Sequence, residues 1–166
     1  MIDKMSAAHF LLSLDPNRDY FNTNAIKMNE RVFWEGNARL NKMLHLAQNI
    51  YIGKYGEPLI DADFLAYDNG GVIPEIQENY RMLLATNTQE EIHLDSDAKA
   101  YLAIIFDIFK DAPVEELIEI DHEDPAWQEK HQYYNKLDQV MDPMSFVDDY
   151  RVRYADINEL IDEMEM

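Results

Sequence analysis

The most regular hydrophobic pattern of the chain lies in residues 40–56, which read LNKMLHLAQNIYIGKYG. Its apolar residues recur every three or four positions, as they do on one face of an amphipathic α-helix. The residues on this face are Leu40, Met43, Leu44, Ala47, Ile50 and Tyr51. Gly56 follows directly and suits the left-handed conformation that often ends a helix. We therefore predict a helix that ends near Tyr55.

Around this helix, weaker signals predict further elements. Residues 3–14 predict a shorter helix, and the Asp15-Pro16 pair with the Asn-rich stretch 17–29 predicts a long, mobile connection. Residues 64–67 and 72–73 flank turn-forming residues 68–71, a pattern typical of a small β-hairpin.

Most of the remaining sequence carries helix-start signals. The expected starts are Pro74, Thr88 with Glu91 as a capping box, Ser96 or Asp97, Pro113, Asp124-Pro125, Asp142-Pro143, and Asp156 with Glu159. The helix from Pro74 should reach about residue 84, and residues 92–94 could instead form a brief extended segment. With 166 residues and 47% hydrophobic content, the chain has enough material for one core. We predict a mainly α fold: a single compact helical domain over residues 1–166, with about seven helices and one small β-hairpin.

Composition excludes several protein classes. No apolar run approaches the ~18 residues of a membrane span, and the first residues lack a signal-peptide hydrophobic region. The chain has no cysteine, which excludes disulfides, thiolate metal sites and a cysteine nucleophile. We expect a cytoplasmic protein.

The charge of the chain is strongly acidic and unevenly distributed. The formal net charge is −19, and residues 111–166 hold 17 acidic but only 4 basic side chains. Such a surface repels nucleic acid and anionic membranes and attracts basic proteins. A simpler interpretation is that these carboxylates are only solvated and keep the protein soluble.

Motifs for metal, phosphate or covalent chemistry are absent from the sequence. The five histidines form no HExxH motif, and there is no GxGxxG, P-loop or GxSxG. The acidic residues 61–72 miss the spacing of a calcium loop. We therefore predict no catalytic residue, no metal site and no cofactor.

The segment Asp121-His122-Glu123-Asp124-Pro125-Ala126-Trp127 joins the end of one helix to the start of the next. Asp124 should cap the second helix, and Asp121 and Glu123 are expected in solvent. His122 is either a hydrogen-bonding hub of this junction or a general base. Trp127 should bury its ring and bond its N–H to a neighbour, although a half-exposed tryptophan is also a typical binding anchor.

Three motifs in order, residues 40–48 (LNKMLHLAQ), 55–59 (YGEPL) and 70–74 (GGVIP), followed by residues 121–127, resemble the Panacea domain. This family is related to the antitoxin SocA and to phage-associated proteins. The resemblance covers about residues 38–130, and the acidic, helical part 131–166 lies outside it.

The resemblance implies a mostly helical protein without a recognised active site. It also implies an antitoxin that neutralises a toxin by direct contact, in some members as an adaptor that delivers the toxin to a protease. On this basis the partner is a protein, expected to be a toxin encoded by a neighbouring gene, and neither nucleic acid nor membrane is bound directly. The candidate partner-binding residues are Tyr67, Val72, His122, Asp124 and Trp127.

Two other hypotheses remain open from the sequence. The first is an acidic, phage-encoded nucleic-acid mimic whose carboxylates imitate phosphates and occupy a basic host protein. The second is an enzyme centred on His122 and Glu123, which would require a deep pocket around them.

Overall fold

The computed structural model of the protein describes residues 1–28, 30–134 and 139–165, and the side chains of all of these except residues 132–134. This part of the chain contains nine α-helices. They are α1 (Lys4–Ser13), α2 (Glu35–Tyr55), α3 (Pro74–Glu78), α4 (Tyr80–Ala85), α5 (Ser96–Phe109), α6 (Val114–His122), α7 (Pro125–Tyr134), α8 (Val147–Arg153) and α9 (Ala155–Met164). The predicted mainly α fold is confirmed.

Six short strands form three separate pairs among the described residues. β1 (Ile2–Asp3) runs parallel to β4 (Ile60–Asp61), whereas β2 (Ala25–Met28) with β3 (Arg31–Trp34), and β5 (Leu65–Tyr67) with β6 (Gly70–Val72), form antiparallel hairpins. No pair joins another into a larger sheet within this part of the chain. The strands therefore form small local pairs in the segments that connect the helices, and the core is helical.

Helix α2 is the centre of the molecule. It is roughly 30 Å long, from its 21 residues at a rise of 1.5 Å each, and it packs against α1, α5, α6, α8 and α9. Because neighbours surround it, 16 of its 21 residues are buried. The predicted apolar face lies in the core, but the helix is not amphipathic, since its polar residues are buried as well.

The buried polar side chains of α2 hold the connecting segments in place. The Gln48 amide accepts hydrogen bonds from the backbone N–H groups of Leu59 and Ile60 and donates to the carbonyl of Ile60. The Arg39 guanidinium donates to the carbonyls of Lys110 and Ala112 after α5. A buried polar group without a partner costs about 1–3 kcal/mol, so these contacts fix where each segment crosses the helix.

Several predicted boundaries agree with the structure. α2 ends at Tyr55, and Gly56 has the expected left-handed conformation with φ +74°. The predicted hairpin is present, but its turn is shorter than the expected residues 68–71, because Gly70 and Gly71 belong to β6. Pro113 directly precedes α6, and Pro125 is the first residue of α7.

The first connection differs from the prediction. Residues 17–29 were expected to form only a long connection, but residues 25–28 form β2, which pairs with β3. This hairpin was missed because Ala25-Ile26-Lys27-Met28 is short and lacks the β-branched and aromatic enrichment of most strands. The structure thus has a second hairpin, next to the start of α2.

The predicted start at Pro74 is correct, but the extent of that helix differs, and four other helix starts differ in detail. At Asp142-Pro143 only a short 3-10 helix, Pro143–Phe146, forms, and α8 begins at Val147. The helix from Pro74 is interrupted at Asn79, whose φ of −107° and ψ of 19° separate α3 from α4. Thr88 makes no capping hydrogen bond, and only a short 3-10 turn follows it. Asp95, rather than Ser96 or Asp97, caps α5. The α9 helix has already begun before Asp156, so this residue lies in its first turn and is not its cap.

Within the described residues, no helix combines the length and the apolar character needed to cross a lipid bilayer.

Candidate partner-binding site

A groove of about 500 Å³ lies between the two hairpins, over the N-terminal half of α2. One wall is strand β3, with Arg31, Val32 and Phe33, and the other is the β5–β6 hairpin. Asn41 and Lys42 of α2 form part of its floor. The walls therefore combine apolar residues such as Val32 and Phe33 with the charged Arg31 and Asp68 over a polar base. A concave, partly apolar site with a few polar groups is typical of one that binds a protein segment or a small ligand.

Two of the predicted binding residues, Tyr67 and Val72, line this groove. Tyr67 is half-buried, whereas Val72 is buried and reaches the groove only with its edge. The most exposed apolar side chain of the groove is Val32, with 70% of its surface accessible. Sequence reasoning missed Val32 because it lies in the hairpin that was not predicted.

Trp127 holds the β5–β6 hairpin against the helices. Its indole N–H donates a 2.8 Å hydrogen bond to the carbonyl of Tyr67, and its ring lies between those of His122 and His131. The ring centroids are 4.3 Å and 4.5 Å from that of Trp127. With 9% of its surface exposed, Trp127 is a packed residue with a satisfied N–H, as expected for a structural tryptophan.

Asp68, at the tip of the same hairpin, connects this aromatic stack to β3. One carboxylate oxygen lies 3.0 Å from Nε2 of His131, and the other lies 3.2 Å from the Arg31 guanidinium. Its backbone carbonyl is 2.8 Å from Nε2 of His122. His122 is thus a hub that fixes the hairpin tip, and both walls of the groove are linked through Asp68.

Beneath the hairpin lies a buried charge cluster, which consists of Lys42 and His45 of α2, Asp121 of α6, and Asp124 before α7. Asp121 is 2.9 Å from Nδ1 of His45 and 3.4 Å from Nζ of Lys42. Asp124 is 2.8 Å from Nε2 of the same His45. All four side chains are buried. The expectation that Asp121 is solvated is wrong, whereas Glu123 is exposed as predicted.

Asp124 uses both oxygens of its buried carboxylate. One accepts hydrogen bonds from the backbone N–H of Ala126 at 3.0 Å and from the hydroxyl of Tyr150 at 2.6 Å. The other accepts from the side-chain amide of Asn49 at 2.9 Å and faces His45. Asp124 is therefore the helix cap that the sequence predicts and also the point where α2, α7 and α8 meet.

The two carboxylates determine the protonation state of His45. Burial alone would lower its pKa, but the ion pairs with Asp121 and Asp124 outweigh burial and raise the pKa from 6.5 to about 9. Burial likewise opposes ionisation of Asp124, yet its contacts with His45 hold the pKa of this carboxyl below its usual value. Burial lowers the pKa of Lys42, and Asp121 counteracts this. At neutral pH His45 is therefore protonated and pairs with the ionised carboxylate of Asp124.

Two glycines bring the hairpin close to this cluster. Gly70 has φ +118°, and a Cβ atom there would lie 2.4 Å from a carboxylate oxygen of Asp121. A Cβ at Gly71 would lie 2.9 Å from the ring of His45, and the Gly71 carbonyl accepts a 3.1 Å hydrogen bond from Lys42. The backbone of β6 thus seals the cluster from above.

These charged groups contact one another and are shielded from solvent. His45, Asp121 and Asp124 have side chains enclosed by the core, and His122 is engaged with Asp68 and Trp127. Across the residues the structure describes, no group of histidine and carboxylate side chains is arranged to hold a metal ion. The groove above this cluster, in contrast, is open to solvent.

A family model described as antitoxin SocA-like, Panacea domain, matches residues 40–128, more than half of the chain. The chain belongs to this family. Membership in the SocA-like Panacea family indicates an antitoxin-type, regulatory role in general terms and implies a protein partner such as a toxin. No curated protein and no solved structure matches the chain.

The Panacea match divides the site into two parts. Residues 40–128 include the buried charge cluster, the β5–β6 hairpin and Trp127. The β2–β3 hairpin with Val32, and Tyr150 of α8, lie outside this span. Most of the scaffold of the groove therefore lies within the matched segment, while its β3 wall lies before this segment in the sequence.

The five predicted binding residues surround the same hairpin but differ in accessibility. Tyr67 and Val72 line the groove, and His122 and Trp127 support it from behind. The Asp124 carboxylate is 1% exposed, so direct contact with a partner would require the core to open. Their role in partner binding stays a prediction.

Proposed function

We propose that this chain is an antitoxin-type interaction module that neutralises a toxin by direct contact through the groove between the two hairpins. The observation that carries the proposal is the position of this groove, which lies over α2 and the β5–β6 hairpin of the Panacea segment, has an accessible apolar side chain at Val32 and a rim fixed by Trp127 and Asp68. A rigid, partly apolar groove can bind a partner without a large ordering cost.

The rigidity of the groove supports this role. The hairpin tip is fixed by contacts from His122, His131 and Arg31, and its base is bonded to Lys42. A surface that is already in its binding conformation loses less conformational entropy on association. Of the predicted residues, Tyr67 and Val72 would contact the partner, and His122, Asp124 and Trp127 would position them.

The partner in this proposal is a toxin encoded by a neighbouring gene, encountered in the cytoplasm. Neutralisation could end in sequestration or in delivery of the toxin to a protease, with the chain acting as an adaptor. Both outcomes need the same first contact, so the groove can be tested before they are distinguished.

The test is co-expression with the product of the adjacent gene, with growth rescue and co-purification as readouts. Val32→Asp should abolish both, because a carboxylate in the groove wall would lose its hydration against an apolar partner. The matched control is Val152→Asp on α8, since Val152 is also highly exposed, at 80%, and lies outside the groove. The urea midpoint of both variants should equal that of the wild type.

Two results would count against the proposal. If Val32→Asp rescues growth as well as the control does, the groove is not the contact surface. If the neighbouring product is neither toxic nor bound by the wild-type chain, the antitoxin role itself loses its main support.

Nucleic-acid mimicry is a second candidate function, favoured by the exposed carboxylates of the C-terminal helices. Asp148, Asp156, Glu159, Asp162 and Glu163 all lie on the surface of α8 and α9. A mimic would bind a basic host protein mainly through such charges, so its affinity would fall steeply with salt. In that case Val32→Asp would leave binding unchanged, which separates the two functions.

A further inference from the structure

A second groove lies at the opposite end of α2. It encloses about 1100 Å³ between the end of α2, the first half of α5, the end of α9 and the N-terminal strand β1. Lys42 in the first groove and Tyr55 in the second are 13 residues apart on α2, which corresponds to roughly 20 Å along the helix axis. The two grooves are therefore separate surfaces.

The floor of this second groove is aromatic. The rings of Tyr51 and Tyr55 lie 4.5 Å apart, and Tyr101 meets Tyr51 edge to face at 5.4 Å. Tyr55 remains 51% exposed despite this packing. An accessible aromatic ring offers its negative face to a cation.

The rim of the same groove is acidic. Glu57, Asp95, Asp97 and Glu165 line it, and all four are exposed. No lysine or arginine side chain is among the described residues that line it. The four acids come from three separate parts of the fold, namely the α2–β4 connection, the start of α5 and the end of α9, so tertiary structure brings them together.

Lys54, at the edge of this region, shows which side chain such a surface accommodates. Its ammonium group lies 5.4 Å from the centroid of the Tyr55 ring and pairs with Asp162, with Glu165 at 4.0 Å. A cation is thus already held between an aromatic face and carboxylates beside the groove. An incoming arginine or lysine would find the same combination inside it.

We propose that this second groove is a docking site for a basic peptide segment of a partner protein, one in which arginine or lysine alternates with apolar residues. The carboxylates Glu57, Asp95, Asp97 and Glu165 would pair with the basic side chains, and the tyrosine floor would pack against their stems and the apolar residues. This site is independent of the hairpin groove, so the chain can hold two partners at once.

The test measures binding of the full chain to a labelled peptide of alternating arginine and leucine by fluorescence anisotropy. Neutralising the rim with Glu57→Gln and Asp97→Asn should weaken binding roughly tenfold, about 1.4 kcal/mol. The matched control is Glu116→Gln with Glu119→Gln on α6, which changes the net charge equally at exposed positions outside the groove. This control should bind almost as tightly as the wild type.

A second pair of variants tests the aromatic floor. Tyr55→Ala should weaken binding several-fold, whereas Met82→Ala, at a position with a similar exposure of 53%, should not. Equal weakening by both charge pairs would mean that the peptide responds only to the overall negative charge and would overturn the proposal. Unchanged binding by Tyr55→Ala would overturn it as well, because the floor would then contribute nothing. Neither result bears on neutralisation through the hairpin groove.

Discussion

At the scale of single residues, the unusual feature is how many polar side chains the central helix buries. Lys42, His45 and Asn49 follow one another at intervals of three and four, so they share one face of α2 and meet the carboxylates of Asp121 and Asp124. Buried ion pairs gain little net stability because both charges lose their hydration. Removal of one partner is costly, however, since it leaves the other charge buried without compensation.

His45 makes the stability of the protein depend on pH. Because its pKa is raised from 6.5 to about 9, folding favours the protonated form. The contribution of His45 to the free energy of unfolding is complete below about pH 6.5. It declines as the pH rises through 9, by at most about 1.4 kcal/mol per pH unit. We expect the free energy of unfolding, from urea titrations between pH 5 and 10, to fall by up to about 3 kcal/mol over this window.

The control for this prediction is His45→Gln, which cannot titrate. It should be less stable than the wild type at pH 6 but show a much flatter dependence up to pH 9. Lys42 has a lowered pKa and acts in the opposite direction, and it is present in both proteins. Parallel curves for the two proteins would exclude His45 as the titrating group.

Residue by residue, the sequence predicts only part of this site. The capping role of Asp124 follows from its position before a proline, and the buried ring and bonded N–H of Trp127 were anticipated. The charge cluster could not be predicted, because Lys42 and Asp121 are distant in sequence and each is typical of a solvated residue. One sequence signal did point to the cluster. The predicted helix carries polar residues, among them Lys42, His45 and Asn49, directly beside its apolar face.

At the scale of elements, the β5–β6 hairpin joins the groove to the charge cluster. Its turn faces Trp127 and the two stacked histidines, while the backbone of β6 covers Asp121 and His45. A hairpin this short is not stable alone, so its position depends on the contacts below it. Changes in the cluster should therefore reach the groove through β6.

Gly70→Ala should be much more destabilising than Gly56→Ala. Both glycines have positive φ, but nothing lies within 4 Å of a Cβ at Gly56, whereas a Cβ at Gly70 would lie 2.4 Å from the Asp121 carboxylate. We expect a loss of roughly 1 kcal/mol for Gly56→Ala from backbone strain alone. For Gly70→Ala we expect about 3 kcal/mol or more, because a clash with a buried charge is added.

Urea midpoints measured side by side would test this difference. Similar midpoints for the two variants would mean that the hairpin can move away from Asp121 at little cost. The Gly70→Ala protein should also lose partner binding through the hairpin groove, while Gly56→Ala should retain it.

Elements with strong local signals were predictable, and those that depend on tertiary contacts were not. The end of α2, the β5–β6 turn and the proline-marked starts of α6 and α7 were identified from local chemistry. The β2–β3 hairpin was missed since β2 is stabilised by pairing with β3 rather than by its own sequence. The mainly α class was clear because helix signals recur along most of the chain.

At the scale of the whole molecule, most of the acidic side chains that the structure describes are exposed, among them acids of α6, α8 and α9. The formal net charge of −19 is therefore carried mainly by the surface. A field of one sign accelerates encounter with a partner of opposite sign and does not by itself hold the complex together.

For a complex with a basic toxin, salt should therefore change the association rate more than the lifetime of the complex. Between low and physiological salt we expect the association rate constant to fall roughly tenfold, while the dissociation rate constant changes little. Surface plasmon resonance at a series of ionic strengths measures both constants. A large rise in the dissociation rate constant would instead favour nucleic-acid mimicry, in which charges make the contact itself.

The extent of the domain was read from length and composition, and the assignment of residues 1–166 to a single domain stays a prediction. The limits of the Panacea segment were predicted closely, since residues 38–130 were expected and residues 40–128 match the family model. The sequence could not predict that α8, which lies beyond this segment, completes the core around α2.

The closure of the charge cluster by Tyr150 also bears on synthesis at the ribosome. Lys42 and His45 of α2 find their partners at residues 71, 121 and 124, and Asp124 in turn accepts a hydrogen bond from the hydroxyl of Tyr150. Until the last of these leaves the exit tunnel, Asp124 has no hydroxyl donor and α2 has no cover on the side of α8. The core around α2 is therefore complete only once α8 has emerged, and a product that stops short of α8 would lack this contact.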